Sequence, residues 1–520
     1  MKNALHREIP DALLKDGVEA FQGAFYRDNY EFKKAAPKIR SQVQPGTSKM
    51  LESIKEAVEK TGLKDGMTIS FHHHFRNGDY VCAMVMEVIH EMGIKDLYLC
   101  ASSLGKAQAS LVPMIEDGTI TGISSSGVRD EIGEALSSGK LKNIATIRTH
   151  GGRVRAIETG QVHIDVAFIG ASTSDPYGNA SGKGGKADCG VLSYASVDAQ
   201  YADKVVVITD TLVDAPNLPA PIQGVDVDYV VKVDSVGDPS KIASGAIRMT
   251  KDPRELKMAK ACAEVIAATQ WFKDGFSFQT GAGGASLAVT KFLKPFLDER
   301  DIKMGWGMGG ITEPMVDLLR EGYIRKLIND QAFDIASVES VYTDPGHVEI
   351  SSSQYANPMN KGAFVNYLDY VILGALEIDT DFNVNTVQGS DGTIQGAPGG
   401  HPDTAAGAKC TIIVAPLIRS RLATVRRQVT SVTTPGETVD VLVTDYGIAV
   451  NPKRQDILEE LQKTRLPLVT IEELCDKAET ILGKPEPIQF TDQVVAVVEY
   501  RDGTIIDTIR KPASRQAETC

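Results

Sequence analysis

Glycine-rich loops that follow short aliphatic segments are the clearest candidates for chemistry in this sequence. The loop 279–284 reads QTGAGG, and the loop 396–408 reads GAPGGHPDTAAGA. Glycine lets the backbone approach a ligand closely, and free amides at a helix start favour negative charge. Such loops can present N–H groups to a developing oxyanion. A tight turn is the alternative for each loop, and Asp403 could equally be a helix N-cap.

A second glycine cluster, 305–310, fits the dinucleotide-binding pattern Gly-x-Gly-x-x-Gly between a predicted strand and a predicted helix over 313–321. It lacks a convincing acid at the end of a following strand, since Asp330 lies in a polar stretch. Two neighbouring glycine clusters suggest one shared pocket instead. A dinucleotide-dependent oxidoreductase stays an alternative.

In the first half of the chain, the loop 72–79 reads HHHFRNGD between a predicted strand at 67–71 and a predicted helix at 80–92. Three imidazoles and the Arg76 guanidinium favour a polyanion, because arginine contacts carboxylates through two parallel hydrogen bonds. A structural hydrogen-bond cluster is the alternative. His72 and His74 share a strand face, but no convincing third ligand is nearby, so we predict no metal site.

Composition and patterning exclude several classes of protein. Fifty-five basic against sixty-eight acidic residues give a formal charge of −13, which disfavours nucleic acid as a partner. The apolar runs are far shorter than the roughly 18 residues of a membrane helix, and the first ten residues do not form a secretory signal. The seven cysteines form no Cys-x-x-Cys pair and are expected to be reduced thiols. We therefore expect a cytoplasmic protein. Hydrolase and ATPase chemistry is disfavoured because no Gly-x-Ser-x-Gly elbow and no Walker loop occur.

The elements that must position these loops alternate between helical segments and β-branched runs closed by glycine. This pattern predicts an α/β fold with largely parallel sheets flanked by helices. Ligands of such sheets bind at the carboxyl ends of the strands. We therefore expect the loops near 76, 283, 310 and 400 to converge on a single crevice.

A weak internal repeat at an offset slightly above two hundred residues predicts two copies of one domain. Residues 64–66 return as 273–275, and 165–171 are echoed by 369–375. Chance similarity between α/β segments is the alternative. We predict an extension over 1–50, a first domain over 51–250, a second over 251–510 and a tail over 511–520. A hairpin is expected around Arg501-Asp502-Gly503.

The glycine loops resemble, in order, the three active-site loops of coenzyme A transferases, a superfamily built from two similar α/β domains. Four further stretches resemble the alpha chains of citrate lyases. These stretches are 70–79, 375–379, 383–385 and 443–452. The resemblance extends from about residue 30 to residue 510.

The resemblance implies an enzyme that exchanges acyl groups between an acetyl thioester and citrate, within a three-subunit complex that cleaves citrate without ATP. The acyl carrier (gamma) subunit would supply a thiol on a prosthetic group derived from dephospho-coenzyme A, and the beta subunit would cleave the citryl thioester. No permanently bound cofactor is implied, and acetyl-coenzyme A is a further acyl donor. The acid could be citrate or an analogue such as citramalate. We also expect an oligomer.

Loop position and resemblance together select the site residues. The expected oxyanion donors are the amides of Gly399 and Gly400, or those of Gly283 and Gly284. Glu313 occupies the place of a covalent glutamate in one branch of the superfamily, so a transferase or hydrolase with a Glu313 intermediate is an alternative to direct exchange. A scaffold that only organises partner subunits is another. The residues expected to bind substrate or thioester are His73, His74, Arg76, Gln279, Gly281, Gly283, Gly284, Gly309, Gly310, His401 and Asp403.

Overall fold

Two large sheets with helices packed around them make up the protein. The computed structural model describes residues 1–28, 30–35, 47–242 and 249–513. The α-helices of these residues are α1 (Ile54–Thr61), α2 (Val81–Glu91), α3 (Val112–Glu116), α4 (Asp130–Ser137), α5 (His150–Glu158), α6 (Ser193–Tyr201), α7 (Pro253–Ala268), α8 (Gly284–Arg300), α9 (Glu313–Arg320), α10 (Ile335–Thr343), α11 (Ser352–Ala356), α12 (His401–Gly407), α13 (Gln455–Leu461) and α14 (Ile471–Leu482).

The strands of the first half and those of the second half follow the chain in the same alternation with helices. Those before residue 240 are β1 (Met50–Leu51), β2 (Thr68–Phe71), β3 (Leu97–Ala101), β4 (Ile120–Ser125), β5 (Ala145–Ile147), β6 (Val166–Ala171), β7 (Thr173–Ser174), β8 (Ala180–Ser181), β9 (Lys204–Thr209) and β10 (Tyr229–Lys232). Those after it are β11 (Ser277–Thr280), β12 (Trp306–Ile311), β13 (Leu327–Ala332), β14 (His347–Glu349), β15 (Tyr370–Leu373), β16 (Glu377–Asp379), β17 (Val384–Asn385), β18 (Cys410–Val414), β19 (Ile418–Arg419), β20 (Leu422–Ala423), β21 (Val425–Arg426), β22 (Val441–Val443), β23 (Ile448–Val450), β24 (Phe490–Glu499) and β25 (Ile505–Pro512).

The two large sheets share one strand order. Seven consecutive strands of the first run β10-β9-β6-β2-β3-β4-β5, and seven of the second run β22-β18-β15-β11-β12-β13-β14. Each strand of one series has its counterpart at the same place in the other, and neighbours within both series pair in parallel. The predicted α/β fold with two similar halves is therefore confirmed.

In both halves, an aspartate just before one strand accepts a hydrogen bond from the first residue of the neighbouring strand. Asp165 Oδ2 accepts a hydrogen bond of 2.7 Å from the amide of Thr68, and Asp369 Oδ2 accepts one of 2.8 Å from the amide of Ser277. Each carboxylate satisfies an amide at the start of its neighbouring strand, a group that needs a partner when it is buried. The internal repeat in the sequence thus corresponds to a repeated structural contact.

Several helices begin at side chains that accept from the first free amides, which stabilises a helix start by about 1 kcal/mol. The hydroxyl of Thr149, for example, accepts from the amide of Gly152 at 2.8 Å and so starts α5. The helices predicted at 80–92 and 313–321 are observed as α2 and α9, with limits shifted by at most one residue. The other caps of this kind are Ser53, Asp252, Asp334, Ser351 and Thr470.

The C-terminal hairpin belongs to the first sheet, whereas the sequence analysis grouped it with the second half. Strand β24 pairs in parallel with β5, and β25 pairs with β24. Buried Arg148, which follows β5, donates to both carboxylate oxygens of Glu499 in β24, at 2.9 and 3.1 Å. The hairpin covers an open sheet edge in this way, and local sequence patterns do not reveal which sheet a returning strand joins. The domain limits otherwise stay a prediction.

The N-terminal segment packs on this hairpin. Phe21 and Tyr500 meet edge to face with ring centroids 5.1 Å apart, and the amide of Phe21 donates to the carbonyl of Ile505 at 2.9 Å. Residues 1–50 are not wholly an extension, because Met50 and Leu51 form β1 and pair with β10.

Both sheets are buried between apolar layers, as expected for parallel sheets covered by helices on both faces. The core of the first sheet also takes in Val387 and Ile394 of the second half. None of the helices in the described ranges combines the length and apolar character needed to cross a bilayer. Six of the seven cysteines are buried free thiols, and Cys520 lies outside the described residues.

Candidate functional site

The carboxyl ends of the parallel strands of both sheets meet at one place. The amide of His150, after β5, donates to the carbonyl of Gly399 at 2.8 Å. The side-chain amide of Gln331, in β13, donates to the carbonyl of His73, after β2, at 3.1 Å. Loops of the first half are thus hydrogen bonded to the second half, while a single crevice shared by all four predicted loops stays a prediction.

His72 serves the structure of this region. Its Nε2 lies 2.8 Å from Asp198 Oδ2 in α6, and Arg153 of α5 donates to both oxygens of the same carboxylate, at 2.9 and 2.7 Å. Both charged partners are fully buried. Removing one partner of such a pair leaves an unpaired buried charge, which typically costs about 3–5 kcal/mol. His72 therefore holds the loop rather than a ligand.

His73 stands at the centre of a group of rings. Its Nδ1 lies 2.5 Å from Ser102 Oγ, and its ring centroid is 6.1 Å from that of His150 and 5.1 Å from that of Tyr194. Burial lowers the pKa of His73 well below its usual value, and the neighbouring His150 lowers it further. The imidazole is therefore neutral near pH 7.

His74 and His150 are neutral for the same reason. Burial lowers the pKa of His74, and burial followed by the Arg153 charge lowers that of His150 to about 3. The ring of His74 is buried, and its Nε2 finds no hydrogen-bond partner among the residues that the structure describes. The sequence analysis counted three imidazoles and one guanidinium as partners for an anion. In the structure His73 and His74 are neutral, so arginine provides the positive charge.

Arg76 adopts an unusual backbone conformation, with φ of 52°, in the left-handed region that disfavours side chains. Its guanidinium carbon lies 4.5 Å from the centre of the Phe333 ring, in cation–π geometry. A Cβ placed on Gly310 would collide with that same ring, so the glycine makes room for the stack. Phe333 thus packs against both Arg76 of the first half and Gly310 of the second.

A second arginine, Arg129, accompanies Arg76 and was missed by the sequence analysis. It is the N-cap of α4, and its Nη2 folds back over Gly127. Burial first and then the charge of Arg129 lower the pKa of Arg76 to about 10, and Arg129 also lowers the pKa of His73 and His150. The charges of Arg76 and Arg129 are therefore close enough to influence each other.

The three loops matched to coenzyme A transferases converge through Tyr355 of α11. The Gln279 side-chain amide donates to the Tyr355 hydroxyl at 3.1 Å. A Cβ on Gly309, where φ is 93°, would lie 2.7 Å from Gln279 Cδ. A Cβ on Gly400 would collide with the Tyr355 hydroxyl. Glycine at 309 and 400 is thus required by close packing at this point.

The candidate oxyanion amides differ in availability. Gly399 donates to the carbonyl of Ser126 at 3.1 Å, and Gly281 donates to that of Ile372 at 2.6 Å. Gly283 is the N-cap of α8 and Gly284 its first residue, and the nearest atom to a Cβ on Gly283 is Ser286 Oγ at 3.9 Å. Gly400, Gly283 and Gly284 are therefore better placed to bind an anion than Gly399.

His401 and Asp403 hold the second-half loop in position. His401 Nε2 lies 3.0 Å from the carbonyl of Gly374, its Nδ1 lies 2.7 Å from Thr434 Oγ1, and burial lowers its pKa to about 4. Asp403 accepts from Thr149 Oγ1 at 2.8 Å and from the amide of Gly151 at 2.9 Å. Burial raises the pKa of Asp403 to about 6. Neither side chain is free to contact a ligand.

Glu313 is the first residue of α9 and its side chain is exposed. Its amide donates to Asp334 Oδ2 at 2.7 Å. A carboxylate in the first turn interacts favourably with the helix dipole, so a structural role accounts for its position.

The sequence analysis also missed His150, Tyr194 and Ser126. The Tyr194 ring centroid lies 4.9 Å from that of His150, and Ser126 Oγ lies 2.7 Å from His150 Nδ1. Ser126 directly follows β4, and His150 follows β5 after two residues. The rule that ligands bind at strand ends could have found both, while nothing in the sequence marks Tyr194, which lies within a helix.

The dinucleotide interpretation of 305–310 is wrong. These glycines lie in or next to strand β12 and not in a turn between a strand and a helix, so they cannot cradle a pyrophosphate. Within the described ranges, one group of three metal-type donors has its ligand atoms mutually within 4.8 Å: His163, Asp165 and Asp203. It includes no predicted site residue.

Comparisons with known proteins agree with one another. The family model described as citrate lyase, alpha subunit, matches residues 47–512. The citrate lyase alpha chain of Haemophilus influenzae is 53% identical over 477 residues, which cover 92% of this chain and 95% of that protein. The corresponding chain of Klebsiella pneumoniae is 51% identical, with coverage of 92% and 94%.

Solved structures extend the similarity to the fold. A Streptococcus mutans protein, crystallised with citrate and described as the alpha subunit of citrate lyase, superposes with a TM-score of 0.93 at 48% identity, covering 99% of this chain and all of that one. The alpha subunit of a malonate decarboxylase from Acinetobacter baumannii superposes with a TM-score of 0.64 at 14% identity, covering 84% of this chain and 87% of that one. This similarity shows a shared fold and no more. With a family model over most of its length and relatives above 50% identity, this chain belongs to the citrate lyase alpha subunit family.

Proposed function

We propose that this chain exchanges acyl groups between an acetyl thioester and citrate, releasing acetate and leaving a citryl thioester. The observation that carries the proposal is that three glycine loops of the second half pack around Tyr355 and Gln279, while Arg76 of the first half stacks on Phe333 beside Gly310. Membership of the citrate lyase alpha subunit family supports citrate as the acid. Citramalate is the analogue to compare with it.

The reaction proceeds in two displacements. A citrate carboxylate oxygen attacks the thioester carbonyl carbon, and collapse of the tetrahedral oxyanion expels the thiolate and leaves a mixed anhydride. The thiolate then attacks the citryl carbonyl, and the carbon–oxygen bond to acetate breaks. Atoms and electrons balance without a cofactor or a proton donor. Each oxyanion needs N–H or O–H donors aimed at it.

Two of the three carboxylates of citrate do not react, and these need cationic partners. Arg76 and Arg129 supply fixed positive charge, since a guanidinium stays protonated near pH 7. His73 and His74 supply neutral imidazoles, which bind through hydrogen bonds. We assign the anion to this pair of arginines. The amides of Gly400, Gly283 and Gly284 are assigned to the reacting carbonyl.

The acyl donor in the cell is proposed to be the acyl carrier (gamma) subunit, whose prosthetic group derives from dephospho-coenzyme A, with acetyl-coenzyme A as a substitute. The citryl thioester would pass to a beta subunit that cleaves it. We place this oligomeric complex in the cytoplasm. The first and second halves, about 51–250 and 251–489, are proposed as domains, with the terminal hairpin added to the first.

Purified chain incubated with carbon-13-labelled acetyl-coenzyme A and citrate tests the proposal. We expect labelled acetate and citryl-coenzyme A in equal amounts by mass spectrometry, and neither product when the acid is omitted. The acetylated carrier subunit serves as a second donor. Absence of citrate-dependent acetate release from both donors would overturn the proposal, and so would acetate release that is equal with and without citrate.

A further inference from the structure

We propose that the hydroxyl of Tyr355 is a catalytic hydrogen-bond donor to the oxyanion formed during acyl exchange, and that Gln279 is its positioning residue. This inference rests on the proposed function and deepens it, because it names a side chain where the site was expected to use backbone amides. Tyr355 lies in α11, outside every loop that the sequence analysis selected.

The first support is that all three glycine loops of the second half meet at the hydrogen-bonded pair of Tyr355 and Gln279. The loop 279–284 reaches it through the Gln279 hydrogen bond of 3.1 Å. The cluster 308–310 reaches it through Gly309, whose missing side chain leaves room for Gln279. The loop 399–403 reaches it directly, because a Cβ on Gly400 would collide with the hydroxyl. Gly400, one of the three residues whose amides are better placed to bind an anion, is thus in contact with the phenol.

The second support is that the hydroxyl still has its proton to offer. It accepts from Gln279, and no residue in the described ranges accepts a hydrogen bond from it. Tyr355 is 3% exposed, so this unused donor is shielded from bulk water. Burial and the nearby carboxylate of Asp330 raise its pKa, which keeps the phenol protonated near pH 7. Most buried donors in proteins have an acceptor, and an oxyanion formed in the reaction would supply the one that this hydroxyl lacks.

The third support is that the reaction step needs a hydrogen-bond donor that keeps its proton, which a phenol can be. When the carboxylate oxygen attacks the thioester, the carbonyl π electrons move to oxygen, and the phenol donates a hydrogen bond to that oxygen. Collapse returns the electrons to the carbonyl and expels the thiolate. The phenolic proton stays on Tyr355 throughout. Because the bond is strongest to the charged oxyanion, it lowers the barrier more than it stabilises bound substrate.

The variant Tyr355→Phe removes the hydroxyl and keeps the ring. We expect kcat for citrate-dependent acetate release to fall about 100-fold, as for loss of an oxyanion donor elsewhere, with the KM for citrate within about threefold. Tyr370→Phe is the matched control, since Tyr370 is a buried tyrosine whose hydroxyl lies 2.5 Å from Thr269 Oγ1. It should lower the melting temperature and leave kcat unchanged.

Gln279→Glu tests the positioning role. A glutamate of the same shape accepts the phenolic proton in a hydrogen bond and so withdraws the donor from the oxyanion. We expect a kcat loss close to that of Tyr355→Phe and little further loss in the double variant, because both changes remove the same interaction.

The outcomes separate this inference from the proposed function. If the unaltered chain shows no citrate-dependent exchange, both are overturned. If it turns over and Tyr355→Phe keeps its kcat, only the role of Tyr355 is overturned. A variant with lower melting temperature and unchanged kcat also overturns it, since that result marks a purely structural hydroxyl. Fully additive losses in the double variant would overturn the role of Gln279.

Discussion

Thr149 Oγ1 donates a hydrogen bond of 2.8 Å to Oδ1 of Asp403, and this contact joins the two halves of the protein at the candidate site. The same hydroxyl accepts from the amide of Gly152 and so caps α5. Asp403 accepts in turn from the amide of Gly151. One threonine therefore starts a helix of the first half and fixes a carboxyl group of the second.

Replacing Thr149 with valine should destabilise the protein, because a buried oxygen of Asp403 and the amide of Gly152 both lose a partner. We expect the free energy of unfolding in urea to fall by about 1–3 kcal/mol. Thr149→Ser, which keeps the hydroxyl, is the control and should lose much less. Equal losses in both variants would show that the methyl group, not the hydrogen bond, matters.

The stability contribution of Asp403 should depend on pH. Burial raises its pKa in the folded state to about 6, above the unfolded value of about 3.9. Because the folded protein then holds this proton more tightly, the carboxyl group contributes stability at low pH that is lost as pH rises through the folded pKa. Asp403→Asn removes the titration. Its stability relative to the unaltered protein should rise by about 1–2 kcal/mol between pH 5 and pH 8. A pH-independent difference between the two proteins would contradict this assignment.

Arg129 should contribute to citrate affinity. Arg129→Gln removes a guanidinium charge that acts on His73 and His150, and we expect the KM for citrate to rise about 10-fold or more with a smaller change in kcat. Arg129→Lys keeps the charge without the bidentate geometry, so its KM for citrate should lie between those of the unaltered protein and Arg129→Gln. Arg320→Gln changes an arginine that pairs with Asp344 at the surface, and serves as the control. An unchanged KM in Arg129→Gln would remove Arg129 from the site.

Glu313 should not carry the acyl group. Its exposed position at the start of α9 is explained by the helix dipole, so Glu313→Gln should keep kcat within about threefold. Borohydride reduction of the enzyme incubated with acetyl-coenzyme A should leave the peptide that contains Glu313 unmodified. A reduced glutamate at this position would establish the covalent route instead.

Gly310 should be intolerant of a side chain. In Gly310→Ala the added methyl group meets the Phe333 ring, which must shift and take the Arg76 guanidinium with it. We expect a loss of about 1–3 kcal/mol in stability and a raised KM for citrate. Gly362→Ala is the control, since its added Cβ would lie 3.6 Å from its nearest neighbour, Asn360 Oδ1. If the KM is unchanged, the stack of Phe333 on Arg76 does not position the arginine.

Much of the architecture could be predicted because it depends on short-range pattern. Aliphatic runs closed by glycine marked the strands, and Asp165 and Asp369 marked equivalent places in the repeat. The loops that leave these strands were expected to lie together because parallel strands end at one edge of a sheet, and contacts such as that of His150 with Gly399 join the two halves there. The hairpin was found for the same reason, from Arg501-Asp502-Gly503, whereas the sheet that it joins depends on contacts more than three hundred residues away in sequence.

The sequence by itself determined where the backbone can pack closely against other groups, because residues 309, 310 and 400 are glycines. Only the tertiary structure decided the chemistry of the side chains around them. Arg129 and Tyr355 join the site through packing between distant segments, and no local spacing marks them. The charge of the histidines was likewise decided by burial, which favours the neutral imidazole and leaves the positive charge to arginine.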